Sequence, residues 1–249
     1  GGGFLMRVSI MAMVVSAALV VAVSACGKPG AGSNKNGKSG DPSDAPVTLK
    51  DLQPDMAVTS ALEVGGSQAN VTLQARSKAW TLGDGDALTL AAADGAPVPL
   101  VASADGSSYG ADIDVKDSGT KIVIALTRAD GSAAPASTVT MTEQLGLSAP
   151  AAGTAFSRAS DNIAVSWVSD PSKDPLTVTW SGPCITAGSI DVDHTDSASS
   201  ISAGQIVGDG TCNISVGITR TRTGTLDPAF SGGSITHSFS SSATISSTP

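Results

Sequence analysis

An all-β fold is what this sequence predicts, and three observations predict it. After residue 46 the apolar residues recur with a period of two, as in strands with one buried face, and not with the 3.6 of a helix. Gly, Asp and Pro punctuate the chain at short intervals, and Asp-Gly pairs, which tolerate positive φ, are hairpin signals. No stretch carries a convincing helical stripe.

Taken in order, the first series of strands reads Ala57 to Val64, Ala69 to Ala75, Ala87 to Ala92, Tyr109 to Val115, Lys121 to Leu126 and Thr138 to Thr142. Its turns fall at Gly65-Gly66, Gly83-Asp84-Gly85-Asp86, Asp94-Gly95, Asp105-Gly106, Asp117-Ser118-Gly119 and Asp130-Gly131. A second series begins near Leu145 and comprises Ile163 to Val168, Leu176 to Trp180, Ala198 to Ser202, Cys212 to Thr219 and Gly233 to Ile245. Between the two series, Ser148 to Gly153 (SAPAAG) reads as a short joint. Trp167 and Trp180, on successive strands, are expected to anchor a core because each buries a large apolar area. The expectation is therefore two β-sandwich domains, residues 47–147 and 148–249, each with the strand count and size of an immunoglobulin-like or fibronectin-like sandwich.

The first 46 residues read differently. Met6-Arg7 precedes the apolar run Val8 to Val23, the pattern of a short basic n-region and a secretory h-region. The run falls short of the roughly 20 residues that span a bilayer, and it ends in small residues, so an uncleaved transmembrane anchor is the less favoured reading. It closes on Val23-Ser24-Ala25-Cys26-Gly27, which resembles the lipobox of bacterial lipoprotein precursors. The resemblance implies a signal peptide over residues 1–25, cleavage before Cys26, and a lipid thioether on that cysteine. Two or three acyl chains make release from a membrane negligible, whereas a single chain holds only marginally, at roughly 10⁴ M⁻¹. With Gly27 after the cysteine, the family's sorting rule implies the outer membrane if the host is Gram-negative. Residues 27–46 (GKPGAGSNKNGKSGDPSDAP) hold no large apolar side chain, so residues 26–46 are expected to be a lipidated cysteine followed by a flexible tether.

Of three cysteines, acylation of Cys26 leaves Cys184 and Cys212 as an even pair in an exported chain, where a disulfide is expected. The placement differs from the antibody-type bridge, in which the tryptophan lies between the cysteines; here Trp180 precedes both. The spacing is not Cys-x-x-Cys, which argues against a redox pair. A net charge of −8, with Arg220 and Arg222 close together in the exported part but no concentrated basic face, argues against a nucleic-acid partner. The phrases Gly153 to Arg158 (GTAFSR), Ser181 to Ile185 (SGPCI) and Gly224 to Phe230 (GTLDPAF), with Asp84-Gly85-Asp86, resemble uncharacterised envelope lipoproteins built of tandem β-sandwiches. That resemblance implies an architecture and no activity.

Candidate sites are few. Asp191-Val192-Asp193-His194-Thr195-Asp196 offers three carboxylates and an imidazole, as calcium loops do, but it lacks the glycine and terminal glutamate of an EF-hand, and strand alternation would turn Asp191 and Asp193 to solvent. Asp117-Ser118-Gly119 matches the aspartic-protease tripeptide without a second copy, and Ser118 to Lys121 has Ser-x-x-Lys spacing where a strand, not a helix, begins. Both read as a hairpin turn. His194 and His237 are the side chains able to act as bases near neutral pH; His237, among serines, reads as a surface or half-buried residue. Arg220-Thr221-Arg222 and the stretch Gly224 to Gly233 read as a solvated strand end with a structural Pro-Phe turn, ahead of the less favoured reading, a basic edge and loop able to hold an acidic glycan or protein. No catalytic residue, metal ligand set or cofactor site is assigned, and no enzyme is expected. The favoured expectation is a lipid-anchored envelope or surface protein that binds a protein or polysaccharide. The alternatives are an envelope enzyme or metal-binding protein using Asp191, Asp193 and His194, and a structural spacer.

Overall fold

Alternation along the chain becomes alternation across sheets. The computed structural model describes residues 46–61, 67–75, 77–93, 95–115, 117–168 and 172–249; the expected signal peptide, Cys26 and the expected tether up to residue 45 lie outside them. The strands are β1 (Leu52–Ala61), β2 (Ser67–Ala75), β3 (Lys78–Ala79), β4 (Ala87–Ala92), β5 (Val98–Pro99), β6 (Val101–Ala102), β7 (Tyr109–Ile113), β8 (Lys121–Thr127) and β9 (Ala133–Thr140). They continue with β10 (Leu147–Ala149), β11 (Ala155–Ser157), β12 (Ile163–Trp167), β13 (Leu176–Ser181), β14 (Gly188–Val192), β15 (Ala198–Ile201), β16 (Cys212–Thr223) and β17 (Ser234–Thr248). One 3-10 turn, Leu49–Asp51, precedes β1, and no α-helix occurs among the described residues. No helix among them is long and apolar enough to cross a membrane.

Two cores result. In the first, inward residues of β1 and β2 (Leu52, Met56, Val58, Val71, Leu73) face those of β4 and β8 (Leu88, Leu90, Ile122, Ile124, Leu126), all nearly inaccessible to water. In the second, Val178 and Trp180 of β13, Ile214 to Ile218 of β16, and Phe239 and Ile245 of β17 face Val165 and Trp167 of β12 and Ile201 of β15. At about 1.5–3 kcal/mol for each large side chain fully buried, these two layers hold the fold. The expected tryptophan anchors are in place, with Trp167 and Trp180 both buried. Trp180 packs against Gly188 of the neighbouring strand, where any Cβ would stand 2.5 Å from the indole.

The sheets show why this is an all-β sandwich fold. A four-stranded sheet, β5-β4-β8-β9, covers one core, and a three-stranded sheet, β10-β12-β15, covers the other. Opposite both runs a single ten-stranded sheet whose main path is β14-β13-β16-β17-β1-β2-β7-β6. In the second half, β14-β13-β16-β17 opposed to β10-β12-β15 is the order of an immunoglobulin-type sandwich with one extra strand beside its central trio.

β17 makes the sheet continuous. It pairs antiparallel with β16 from Thr236 to Ser247, parallel with β1 over Ser234 to Ser240, and parallel with β11 over Ser246 to Thr248. Fifteen residues at about 3.3 Å each let one strand reach both cores, with Ile235 in the first and Phe239 and Ile245 in the second. The cores are therefore not colinear with the chain. Leu226, Ala229 and Phe230, from the stretch joining β16 to β17, also pack into the first core. Residues 46–249 form one compact unit.

Candidate interaction surface

The cysteine pair forms the expected disulfide, Cys184–Cys212, with a Cα–Cα distance of 5.9 Å. It fastens the turn after β13 to the start of β16. Arg158 lies beside it and donates to the carbonyl oxygen of Gly210 at 2.6 Å.

The acidic run proves to be a strand end and a turn. Asp191, on exposed β14, accepts from Thr177 Oγ1 at 3.1 Å, and Asp193 accepts from the backbone N–H and hydroxyl of Thr195 at 2.8 and 2.7 Å. The same device recurs twice: Asp105 accepts from the N–H and hydroxyl of Ser107, and Asp130 from those of Ser132. Asp-x-Ser/Thr is thus this protein's turn motif, and its hydroxyl and amide donors hold the Asp130 and Asp193 carboxyls below their ordinary range; Asp105 is held at about 2 by the Ser103 hydroxyl first and then by the N–H and hydroxyl of Ser107. His194 Nδ1 stands 3.5 Å from Asp193. Among the described residues no three His, Cys, Asp or Glu side chains gather as a metal would require.

Other motifs resolve the same way. Asp117-Ser118-Gly119 is a hairpin turn with Gly119 at φ +79°, and Lys121 opens β8. Asp86 closes its Gly-Asp turn by accepting from the N–H groups of Gly83 and Ala129. Two further stretches of this Gly/Ser-rich chain have motif spacing. Gly106 to Gly110 (GSSYG) has nucleophile-elbow spacing, but it joins β6 to β7 where the elbow needs a strand-to-helix turn. Gly32 to Ser39 (GSNKNGKS) has phosphate-loop spacing without an apolar strand pattern immediately before it or a helical one after it, and it lies outside the described residues.

Two expectations are corrected. His237 is not at the surface: it is fully buried, its Nδ1 accepting from Thr142 N–H at 3.0 Å and its Nε2 2.9 Å from Ser60 Oγ. Because Nδ1 accepts, the proton sits on Nε2, and a directed chain runs from His237 through Ser60 and Ser67 (2.7 Å) to the carbonyl of Val115 (2.9 Å). Burial pushes its pKa down to about 4, with Arg222 adding to the effect and Asp174 opposing it. Nor are the arginines a basic edge. Arg220 is fully buried, and Arg222 donates to both oxygens of Asp174 (2.9 and 3.2 Å), to Glu143 (3.1 Å) and to the carbonyl of Met141 (3.1 Å). Burial alone would raise the Asp174 carboxyl, but hydrogen bonds from Arg222 and Ser172 outweigh it and hold the carboxyl low. Arg222 and His237 together clamp residues 141–143, where the chain passes from one core to the other.

The loop after Arg222 is a strap and not a free binding loop. Gly224 lets it approach β9, since a Cβ there would fall 2.2 Å from the carbonyl oxygen of Thr138. Thr225 and Thr138 then exchange backbone hydrogen bonds, both 2.8 Å. Buried Asp227 accepts from the N–H groups of Ala136 and Ala229 at 2.8 Å.

What remains open is the outer face of the ten-stranded sheet. Strand alternation turns Asn213, Ser215, Thr219, Thr221 and Thr223 of β16 outward, and in β17 every such position from Ser234 to Thr248 is Ser or Thr. Neighbours in register continue the pattern: Thr221, Ser238, Thr59, Gln68 and Asp112 form one row across five strands. Cross-strand hydroxyl pairs, Thr219 with Ser240 (2.9 Å) and Thr221 with Ser238 (3.1 Å), hold their rotamers. Thr59, Gln68, Asn70, Gly110 and Asp112 border a cleft of about 290 Å³. The outward positions of β13, β16, β17, β1 and β2 carry no Lys, Arg or large apolar residue. Sequence reading missed this face because each Ser or Thr is unremarkable alone; the signal was their alternation in SITHSFSSSATISST and GITRTRT.

The strand order and paired cores define a tandem β-sandwich protein. No protein-family model and no curated protein matches the chain. Among solved structures it is similar to three FN domains (FN1–FN3) of chicken CNTN1, at 8% identity and a TM-score of 0.30, over 67% of this chain and 57% of that one. It is similar to a two-domain fibronectin type III segment of chicken tenascin, at 18% identity and a TM-score of 0.23, over 68% of this chain and 91% of that one. A third is Bacteroides ovatus SGBP-B, solved with a mixed-linkage heptasaccharide, at 15% identity and a TM-score of 0.23, over 86% of this chain and 48% of that one.

Proposed function

We propose that this is a lipid-anchored protein of the bacterial cell envelope that acts as a non-catalytic binding module. The address rests on Val23-Ser24-Ala25-Cys26, with lipid on Cys26 and the tether of residues 27–46 carrying the sandwiches away from the membrane. The observation that carries the binding role is the continuous outer face of the ten-stranded sheet. One sheet shared by both cores, clamped at residues 141–143, presents its polar groups without a large ordering cost on contact.

Two measurements test the two parts. Replacing Cys26 by Ala should abolish metabolic acyl labelling and leave the precursor uncut; labelling that persists refutes the anchor. In-cell crosslinking of the full chain, followed by recovery from the envelope, should yield a stable partner lost when Thr221 and Ser238 are both changed to Lys. A partner retained by that variant would refute the sheet face as the binding surface.

A further inference from the structure

The cleft on β1, β2 and β7 differs from the carboxylate sites that close turns or hold the clamp. There the carboxylates are occupied: Asp86, Asp105, Asp130, Asp193 and Asp227 close turns, and Asp174 holds Arg222. At the cleft, the side chains of Gln68, Asn70 and Asp112 are exposed and make no hydrogen bond with any described residue. Register explains why they converge. Gln68 is paired with Asp112 and Asn70 with Gly110, so two amides and a carboxylate stand on adjacent strands about 4.8 Å apart. Gly110, lacking a side chain, opens the floor beside Asn70.

The chemistry of this surface selects among partners. A nucleic acid or an acidic glycan needs Lys or Arg, and the outward positions around the cleft have none. A protein interface draws its affinity from buried aromatic and Arg anchors, also absent from these positions. What matches is a ligand that is uncharged and both donates and accepts at closely spaced points. Each amide offers two donors and an acceptor, and the carboxylate accepts from two neighbouring hydroxyls. From Thr59 at the edge of the cleft, Ser238 and Thr221 extend the same chemistry along one row across the sheet, a track for a chain longer than one ring. Their short side chains, two of them locked together by a cross-strand bond, lose little freedom on contact.

We propose that the cleft formed by Thr59, Gln68, Asn70 and Asp112, continued by Ser238 and Thr221, is a binding site for a neutral polysaccharide. The assignment rests on the binding-module reading above and names its ligand class. Affinity electrophoresis of the intact protein through dextran, laminarin, mannan and galactan tests it. At least one of the four should retard the protein, and Gln68→Ala with Asp112→Ala should weaken that retardation by at least about tenfold, the effect of removing two or more net hydrogen bonds. Both side chains are exposed, so the double variant should keep the wild-type melting temperature. An Asn70→Lys variant, which fills the cleft, should lose retardation as well. Retardation by none of the four, or equal retardation of the wild type and both variants, overturns the proposal. If the crosslinked envelope partner is a protein held through the same face, the glycan assignment fails while the binding-module reading stands; if no partner is captured either, both fail.

Discussion

Acidification should destabilise this protein through one imidazole. His237 is buried between Ser60 and the Thr142 N–H, with its Nδ1 committed as an acceptor. Protonation at Nδ1 would set two donors against each other and leave the Thr142 amide unpaired inside the fold. Its folded pKa of about 4 lies below the ordinary 6.5, so the folded state favours the neutral ring. The unfolded chain binds the proton first, and stability present above pH 6.5 is lost as pH falls through the window down to 4. From the two pKa values, the loss is about 2 kcal/mol at pH 5 and about 3 kcal/mol at pH 4, a large share of an ordinary folding free energy. The groups facing the ring act in opposite senses: Arg222 resists its protonation and Asp174 favours it. Other carboxyls titrate too, so the quantity to measure is the difference in urea-unfolding free energy between the wild type and His237→Gln. That difference should shrink by about 3 kcal/mol between pH 7 and pH 4. A difference constant across that range would refute the reasoning, as would a ring that NMR shows protonated at pH 5.5.

Two further outcomes follow from the packing. Reducing the bond between Cys184 and Cys212, or changing both to Ser, should cost about 3–4 kcal/mol for a loop of this length, read as a fall in melting temperature, and an unchanged melt would contradict the loop-closure account. Asp227→Ala leaves the N–H groups of Ala136 and Ala229 without their acceptor and should destabilise by about 2–3 kcal/mol while loosening the strap, seen as faster amide exchange at Thr225. A change below about 0.5 kcal/mol, the level of an ordinary surface substitution, would mean the strap is held by the Thr225–Thr138 pair and the packing of Leu226, Ala229 and Phe230 without Asp227.

The strands that were easiest to read were those with one face buried throughout. Ala87 to Ala92 and the start of β8 at Lys121 coincide with the strands observed, because Leu and Ile at alternate positions leave one register that buries them. β1 begins five residues before the expected Ala57, since Pro54 reads as a strand breaker yet sits inside β1, facing the core. The two- and three-residue strands β3, β5, β6, β10 and β11 escaped notice because two or three residues carry no periodicity. His237 was misread because its neighbours in sequence are serines, whereas its neighbours in space are Thr142 and Ser60, 95 and 177 residues away.

The sequence by itself determined the local quantities: the all-β period, the Asp-Gly turns, the tryptophan anchors and the even pair Cys184 and Cys212. Each follows from residues close together in the chain or from a count. Only the tertiary structure decided that β17 joins both cores, that Arg222 and His237 clamp the passage between them, and that Ser and Thr from separate strands line up as one outer face. The physical reason is strand pairing. Which strands lie side by side is set by burial of both cores together, and a parallel pairing between residues almost two hundred positions apart leaves no mark in either segment alone.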